Sequence, residues 1–119
     1  MKHYTSRKLR VGLGGLGAVG LPVAKWLSRG VTGLSLAAVS AKNKQRAKEV
    51  IQSFGIKAEV VRLQDLPNFS DVVVECAPPE KFLEIAEATL LKGRILMPLS
   101  VTSLLERQDL IEVARNNGG

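Results

Sequence analysis

The sequence predicts a parallel, doubly wound α/β sheet, and three observations predict it. Short apolar runs alternate with helical stretches, the connections between them are short, and a cluster of glycines follows the first apolar run at once. A chain of 119 residues has the size of one ordinary domain, and such a domain buries about two thirds of its unfolded surface. Hydrophobic residues make up 45% and charged residues 24%, which excludes a disordered or fibrous chain. No apolar run approaches the roughly 18 to 20 residues of a membrane span, and Met1 to Lys8 lead into a Gly-rich strand rather than a signal-peptide core. A cytoplasmic protein with no membrane partner is expected.

The elements follow in order. Leu9 to Leu13 is a first strand, and Ala18 to Leu27 is a helix with Val19, Val23 and Leu27 on one face, stopped by Gly30 and Gly33. Pro22 conflicts with that helix unless it lies near its start. Leu34 to Ser40 is a second strand, and Lys44 to Phe54 is a polar-faced helix closed by Gly55. Lys57 to Leu63 is a third, shorter strand and Leu66 to Ser70 a turn. Asp71 to Cys76 is nearly all apolar, as a central parallel strand covered on both faces should be. Pro79 opens a helix to Leu91, with Glu80 and Glu84 near its positive end. Arg94 to Leu99 is a fifth strand, Thr102 or Ser103 caps a last helix to about Arg115, and Asn116 to Gly119 stops it. In this rhythm a Gly-Gly turn leads into another strand, so the chain reads as a domain cut from a longer polypeptide; a short natural protein stays open.

Gly12-Leu13-Gly14-Gly15-Leu16-Gly17 satisfies G-x-G-x-x-G between the first strand and the first helix, the context that motif requires, and Gly20 follows one turn later. In this frame Gly12 makes the tight turn, Gly14 lets the backbone approach a pyrophosphate, and Gly17 lets helix and strand pack closely. A P-loop is excluded, since no Gly-Lys-Ser or Gly-Lys-Thr follows. The alternative is that these glycines serve only a tight turn and a close helix crossing.

About twenty residues past the glycines, a site selective for NAD places a carboxylate on the adenosine ribose. Here the stretch is Ser40-Ala41-Lys42-Asn43-Lys44-Gln45-Arg46, without an acid. A carboxylate would repel a 2′-phosphate, whereas hydroxyl, amide and cationic donors hold it. NADP is therefore expected to be accepted, the cofactor being NADP or NAD, with Ser40, Lys42 and Asn43 as candidates at the 2′ position. The competing reading is that Lys42, Lys44 and Arg46 are the solvated first turn of a surface helix.

Ligands of open parallel sheets lie beyond the carboxyl ends of the strands. Ala77-Pro78-Pro79 and Ser100-Val101-Thr102 occupy such ends and are candidates for the nicotinamide side, turn chemistry being the alternative. Cys76, the single cysteine, reads as a small buried hydrophobe. It excludes an internal disulfide and a cysteine-built zinc site. Glu75 ends a buried strand and is assigned no catalytic role. His3, the single histidine, belongs to a basic tail, so no catalytic residue and no metal ligand is expected within the chain.

The net charge is +6, but it is divided unevenly. Residues 1 to 64 carry twelve Lys or Arg against two acids, and residues 65 to 119 carry five against nine. No acid precedes Glu49, so an anion held by the first half meets no local repulsion. Nucleic acid is not the expected anion, since aromatic residues are 4% and no basic–aromatic interleaving offers stacking.

Four segments then resemble, in order and spacing, the amino-terminal half of L-aspartate dehydrogenase: Val11 to Gly20, Asp71 to Pro79, Leu99 to Leu105, and Ala114 to Gly119. Homoserine dehydrogenase and dihydrodipicolinate reductase are similar in outline but fit the middle segments less well. The resemblance implies a Rossmann-type domain of an oxidoreductase that interconverts L-aspartate and iminoaspartate, or oxaloacetate plus ammonia, with NAD or NADP. It implies that Gly12, Gly14, Gly15, Leu16, Gly17, Ala18 and Val19 hold the pyrophosphate, that Ser40 stands at the adenosine ribose, and that Ala77, Pro78, Ser100 and Val101 face the nicotinamide. Thr102-Ser103 departs from the family's usual Gly-Ala, and Cys76 from its usual Ala. The family's second domain, with its substrate pocket and catalytic His, would follow Gly119. The 119-residue chain is thus expected to bind cofactor without turning over, the full enzyme being a homodimer. A stand-alone NAD(P)-binding or sensing module is the alternative.

Overall fold

Residues 8–77, 79–99 and 105–119 are described by the computed structural model. β-branched and leucine side chains set the strands β1 (Leu9–Gly14), β2 (Leu34–Ser40), β3 (Glu59–Val60), β4 (Val72–Glu75) and β5 (Ile95–Pro98). Between and after them lie α1 (Gly20–Ser28), α2 (Lys44–Ser53), α3 (Leu66–Phe69), α4 (Phe82–Leu91) and α5 (Asp109–Asn117). The five strands form one parallel sheet in the order β3-β2-β1-β4-β5. β1 is central: Leu13 lies between Val39 of β2 and Val74 of β4. The order reverses there, because the chain moves outward from β1 to β3 and then crosses back to β4.

The two faces of the sheet explain the apolar run in β4. Val74 joins Val11 and Leu13 in packing against Ala24 and Leu27 of α1 and Ile51 of α2. Val73, pointing the other way, packs with Ala38, Leu66 and Ile85. Beyond it Phe82, Ala86 and Leu90 of α4 bury Leu110 of α5. The amino ends of β1 and β4 are tied by Asp71, whose carboxylate accepts from the Arg10 amide at 2.9 Å and from its guanidinium at 3.1 Å. β5 is an edge strand, and on one of its faces Ile95 and Met97 stay half exposed.

Several expected boundaries move. α1 begins at Gly20 rather than Ala18, since residues 17–19 form a turn, and Pro22 therefore falls in the first helical turn, where no backbone bond is lost. The third strand contracts from Lys57–Leu63 to Glu59–Val60, because it has a partner on one side and the chain then coils into a 3₁₀ turn, Leu63–Asp65. The expected turn at Leu66 is the one-turn helix α3, with Pro67 near its start. A 3₁₀ turn, Pro79–Lys81, precedes α4. α5 runs on to Asn117 and stops at Gly118, whose φ of 80° is the left-handed C-cap conformation. The expected cap at Thr102 or Ser103 lies outside the described residues.

Candidate functional site

The carboxyl ends of β1, β2 and β4 meet around the glycine run. The Gly15 amide donates to the Ser40 carbonyl at 2.8 Å, and the Cys76 amide donates to the Gly14 carbonyl at 2.9 Å, so the end of β1 is fixed on both sides. The chain turns at Gly15, with φ +117°, and a Cβ there would lie 2.9 Å from the backbone of Cys76 and Ala77. A Cβ on Gly20 would fall on the Gly15 carbonyl. At Gly17 a Cβ would meet nothing within 4 Å.

These positions correct the frame read from the sequence. Gly12 and Gly14 are strand residues of β1 and turn nothing. A Cβ on Gly12 would overlap the Ser70 hydroxyl, and one on Gly14 would lie 2.8 Å from Ile85. Both are small because the helices behind the sheet pack onto them, and neither lines the cleft described below. The tight turn is at Gly15, the close helix crossing at Gly20, and the open approach at Gly17. Gly15-Leu16-Gly17-Ala18-Val19-Gly20 repeats the same spacing three residues later.

A cleft of about 960 Å³ opens over this turn. Its floor is Gly15, Leu16, Gly17, Ala18 and Val19. No side chain caps the amino end of α1 and no acid lies in its first turn, so no side chain offsets the positive end of the helix dipole there, although the Leu21 and Val23 amides already donate to the Gly17 and Val19 carbonyls and Pro22 has no N–H. Ser40, Lys42 and Asn43 line one wall, and Ala77 lines the opposite one with Cys76. Pro78, Ser100 and Val101 lie outside the described residues.

Two details change the chemistry of the first wall. The Asn43 side-chain oxygen accepts from the Arg46 amide at 3.0 Å and so serves as the N-cap of α2, which leaves its NH₂ group as the donor that remains. Arg46, and Arg62 from the segment after β3, also line the cleft and were not singled out from the sequence. Arg62 donates through Nε to Asp65 at 2.9 Å. Among the described residues this end of the cleft is cationic, with Lys42, Lys44, Arg46 and Arg62, while the lining carboxylate Glu80 lies after β4 beside Lys81.

At the other wall Cys76 is half buried. Burial, and then the charge of Glu75, push its thiol from 9.0 up to about 11. Glu75 itself is fully buried, and its carboxylate accepts from the Leu99 amide at 3.1 Å, linking the ends of β4 and β5. Among the described residues no cluster of His, Cys, Asp or Glu could hold a metal ion, and no helix is long and apolar enough to cross a membrane.

A 3-2-1-4-5 parallel sheet with a glycine turn between its first strand and first helix defines a Rossmann-type α/β domain. The same fold occurs in solved structures of scyllo-inositol dehydrogenase from Lactobacillus casei, with bound NAD(H), and biliverdin reductase from Synechocystis sp. PCC 6803, with biliverdin and NADP+. Their TM-scores are 0.75 and 0.73 at 18% and 22% identity, each over 92% of this chain and 34% or 35% of the other. Over residues 15–119 the chain matches the family described as homoserine dehydrogenase, NAD binding domain, and it belongs to that family. It is similar to an L-aspartate dehydrogenase of Bradyrhizobium diazoefficiens, at 34% identity over 96% of this chain and 40% of the relative. It is similar also to L-aspartate dehydrogenase 3 of Bordetella bronchiseptica, at 38% over 94% of this chain and 42% of the relative. The chain thus spans about two fifths of the length of these curated relatives.

Proposed function

We propose that the chain is the dinucleotide-binding domain of an oxidoreductase that resembles L-aspartate dehydrogenase, and that it takes NADP in preference to NAD. When bound, the cofactor would supply a hydride acceptor for the amino acid, which also loses a proton to give iminoaspartate; water would convert that to oxaloacetate plus ammonia. The chain's own residues hold and orient it. The amides of residues 16–19 and the positive amino end of α1 bind the pyrophosphate over the turn at Gly15, with Gly17 bare so that phosphate oxygens reach the backbone. Ser40 stands at the adenosine ribose, with Lys42 and the Asn43 NH₂ group at the 2′ position, and Ala77 borders the nicotinamide half. The amino-acid substrate and the homodimer contacts belong to the further part that the curated relatives carry.

The observation that carries this reading is the cleft over an uncapped helix end whose adenosine side is cationic. Calorimetric titration of the chain with NADP+ and NAD+ tests it. Both should bind, NADP+ the more tightly. NADP+ binding no tighter than NAD+ would overturn the preference, and no binding of either would overturn the function.

A further inference from the structure

We propose that Arg62 is a specificity-determining residue of the cleft, a clamp on the 2′-phosphate of the cofactor from the segment after β3; this rests on reading the cleft as a dinucleotide site. Its place is fixed by the sheet. Ala38 and Val39 of β2 lie opposite Glu59 and Val60 of β3, and the Val61 amide continues the ladder by donating to the Val39 carbonyl at 2.9 Å. One residue further, the chain brings Arg62 level with the turn that follows Ser40, where Lys42 and Asn43 begin the first wall.

Arg62 and Arg46 therefore line the same end of the cleft from different elements, one after β3 and one on α2. Asp65 accepts from Nε of Arg62 and so occupies one edge of its guanidinium. Among the described residues the terminal nitrogens make no hydrogen bond, and they form the pair of donors that fits a phosphate. The pair with Asp65 is exposed on the arginine side, at 65%, so it orients the fork weakly and leaves it able to turn onto an anion. Asp65 is not part of the cleft lining, and Glu80, which is, lies beyond β4. A ribose hydroxyl gives these cations a neutral acceptor, whereas a 2′-phosphate gives a dianion, so the arrangement favours the phosphorylated ligand.

The test compares adenosine 2′,5′-bisphosphate with 5′-AMP, and NADP+ with NAD+, by calorimetry on the 119-residue chain and its Arg62→Gln variant. The variant should bind the two 2′-phosphorylated ligands at least about tenfold more weakly, the loss of a charge-assisted hydrogen-bond pair, with 5′-AMP and NAD+ unchanged. Arg62→Lys should recover part of the loss. Arg29→Gln, which removes an exposed charge outside the cleft, should change none of the four affinities. If the natural chain favours the phosphorylated ligands and Arg62→Gln favours them equally, the role of Arg62 is overturned while the dinucleotide reading stands. If the natural chain binds both members of each pair alike, the preference and the clamp fall together; if it binds none, the reading beneath them falls.

Discussion

Gly12→Ala and Gly17→Ala should have opposite consequences, which makes them a direct test of which glycines pack the fold and which face the cleft. A methyl on Gly12 would overlap the Ser70 hydroxyl and lie 3.1 Å from the Ser70 Cβ and 3.4 Å from a Leu66 methyl, all fully buried. Overpacking of this kind costs about 1–3 kcal/mol. For a chain of this size that is a fall of about 4–12 °C in melting temperature. Ser70 offers a compensation, because its buried hydroxyl has no hydrogen-bond partner among the described residues. Ser70→Ala should therefore be neutral or stabilising by itself, and in the double variant it should return about 1 kcal/mol or more of the Gly12→Ala loss as a coupling energy. At Gly17 an added methyl meets nothing, and φ is not left-handed, so stability should hold or rise by about 0.4–1 kcal/mol through the unfolded state. Dinucleotide affinity should instead fall about tenfold or more, since the methyl stands between the backbone and a phosphate. Urea unfolding and calorimetry on the four variants and the natural chain measure both quantities. A Gly12→Ala variant that melts like the natural chain and has lost NADP+ binding would refute the reasoning.

Four further outcomes are expected. The Cys76 thiol should react with iodoacetamide along a pH curve centred near 11 rather than 9.0, bound dinucleotide should slow it, and a midpoint at the ordinary value would remove the burial argument. Because the folded thiol keeps its proton where an unfolded one has lost it, the contribution of Cys76 to stability is present below pH 9 and is lost as pH rises towards 11; the slope should vanish in Cys76→Ala. Asn43→Ala should cost about 1 kcal/mol in urea through loss of the α2 cap, with a smaller loss in Asn43→Ser. The purified 119-residue chain should bind NADP+ yet show no aspartate-dependent reduction of it at 340 nm, and a measurable rate would overturn the placing of the substrate pocket elsewhere.

Parallel pairing, the ends of β2 and the close of α2 were legible in the sequence because each rests on local signals: the apolar run of β4, the glycines before Leu34 and the glycine stop at Gly55. The glycine frame was not. Gly12–Gly17 and Gly15–Gly20 satisfy the same spacing, and what separates them is where β1 stops. That is decided by its pairing through Gly14 with Ser40 and Glu75, residues distant in the chain. The excess length given to the third strand has a similar origin, since alternation from Lys57 to Leu63 says nothing about how much of an edge strand finds a partner. Arg62 carries no motif at all. It enters the cleft through the register of β3 against β2, which no spacing along the chain contains.

The crossing from β3 to β4 also has a consequence in time. β1 meets β2 through a short helical connection, but it meets β4 only when residues 61 positions apart, such as Arg10 and Asp71, come together. Loop closure makes that the slow step of sheet formation. Until β4 arrives, Gly15 has no Cys76–Ala77 backbone to turn against and the cleft lacks a wall. Cofactor capture is therefore expected to be a late reporter of folding: in a refolding trace, bound-nucleotide signal should lag helix formation and keep pace with burial of the centre of the sheet.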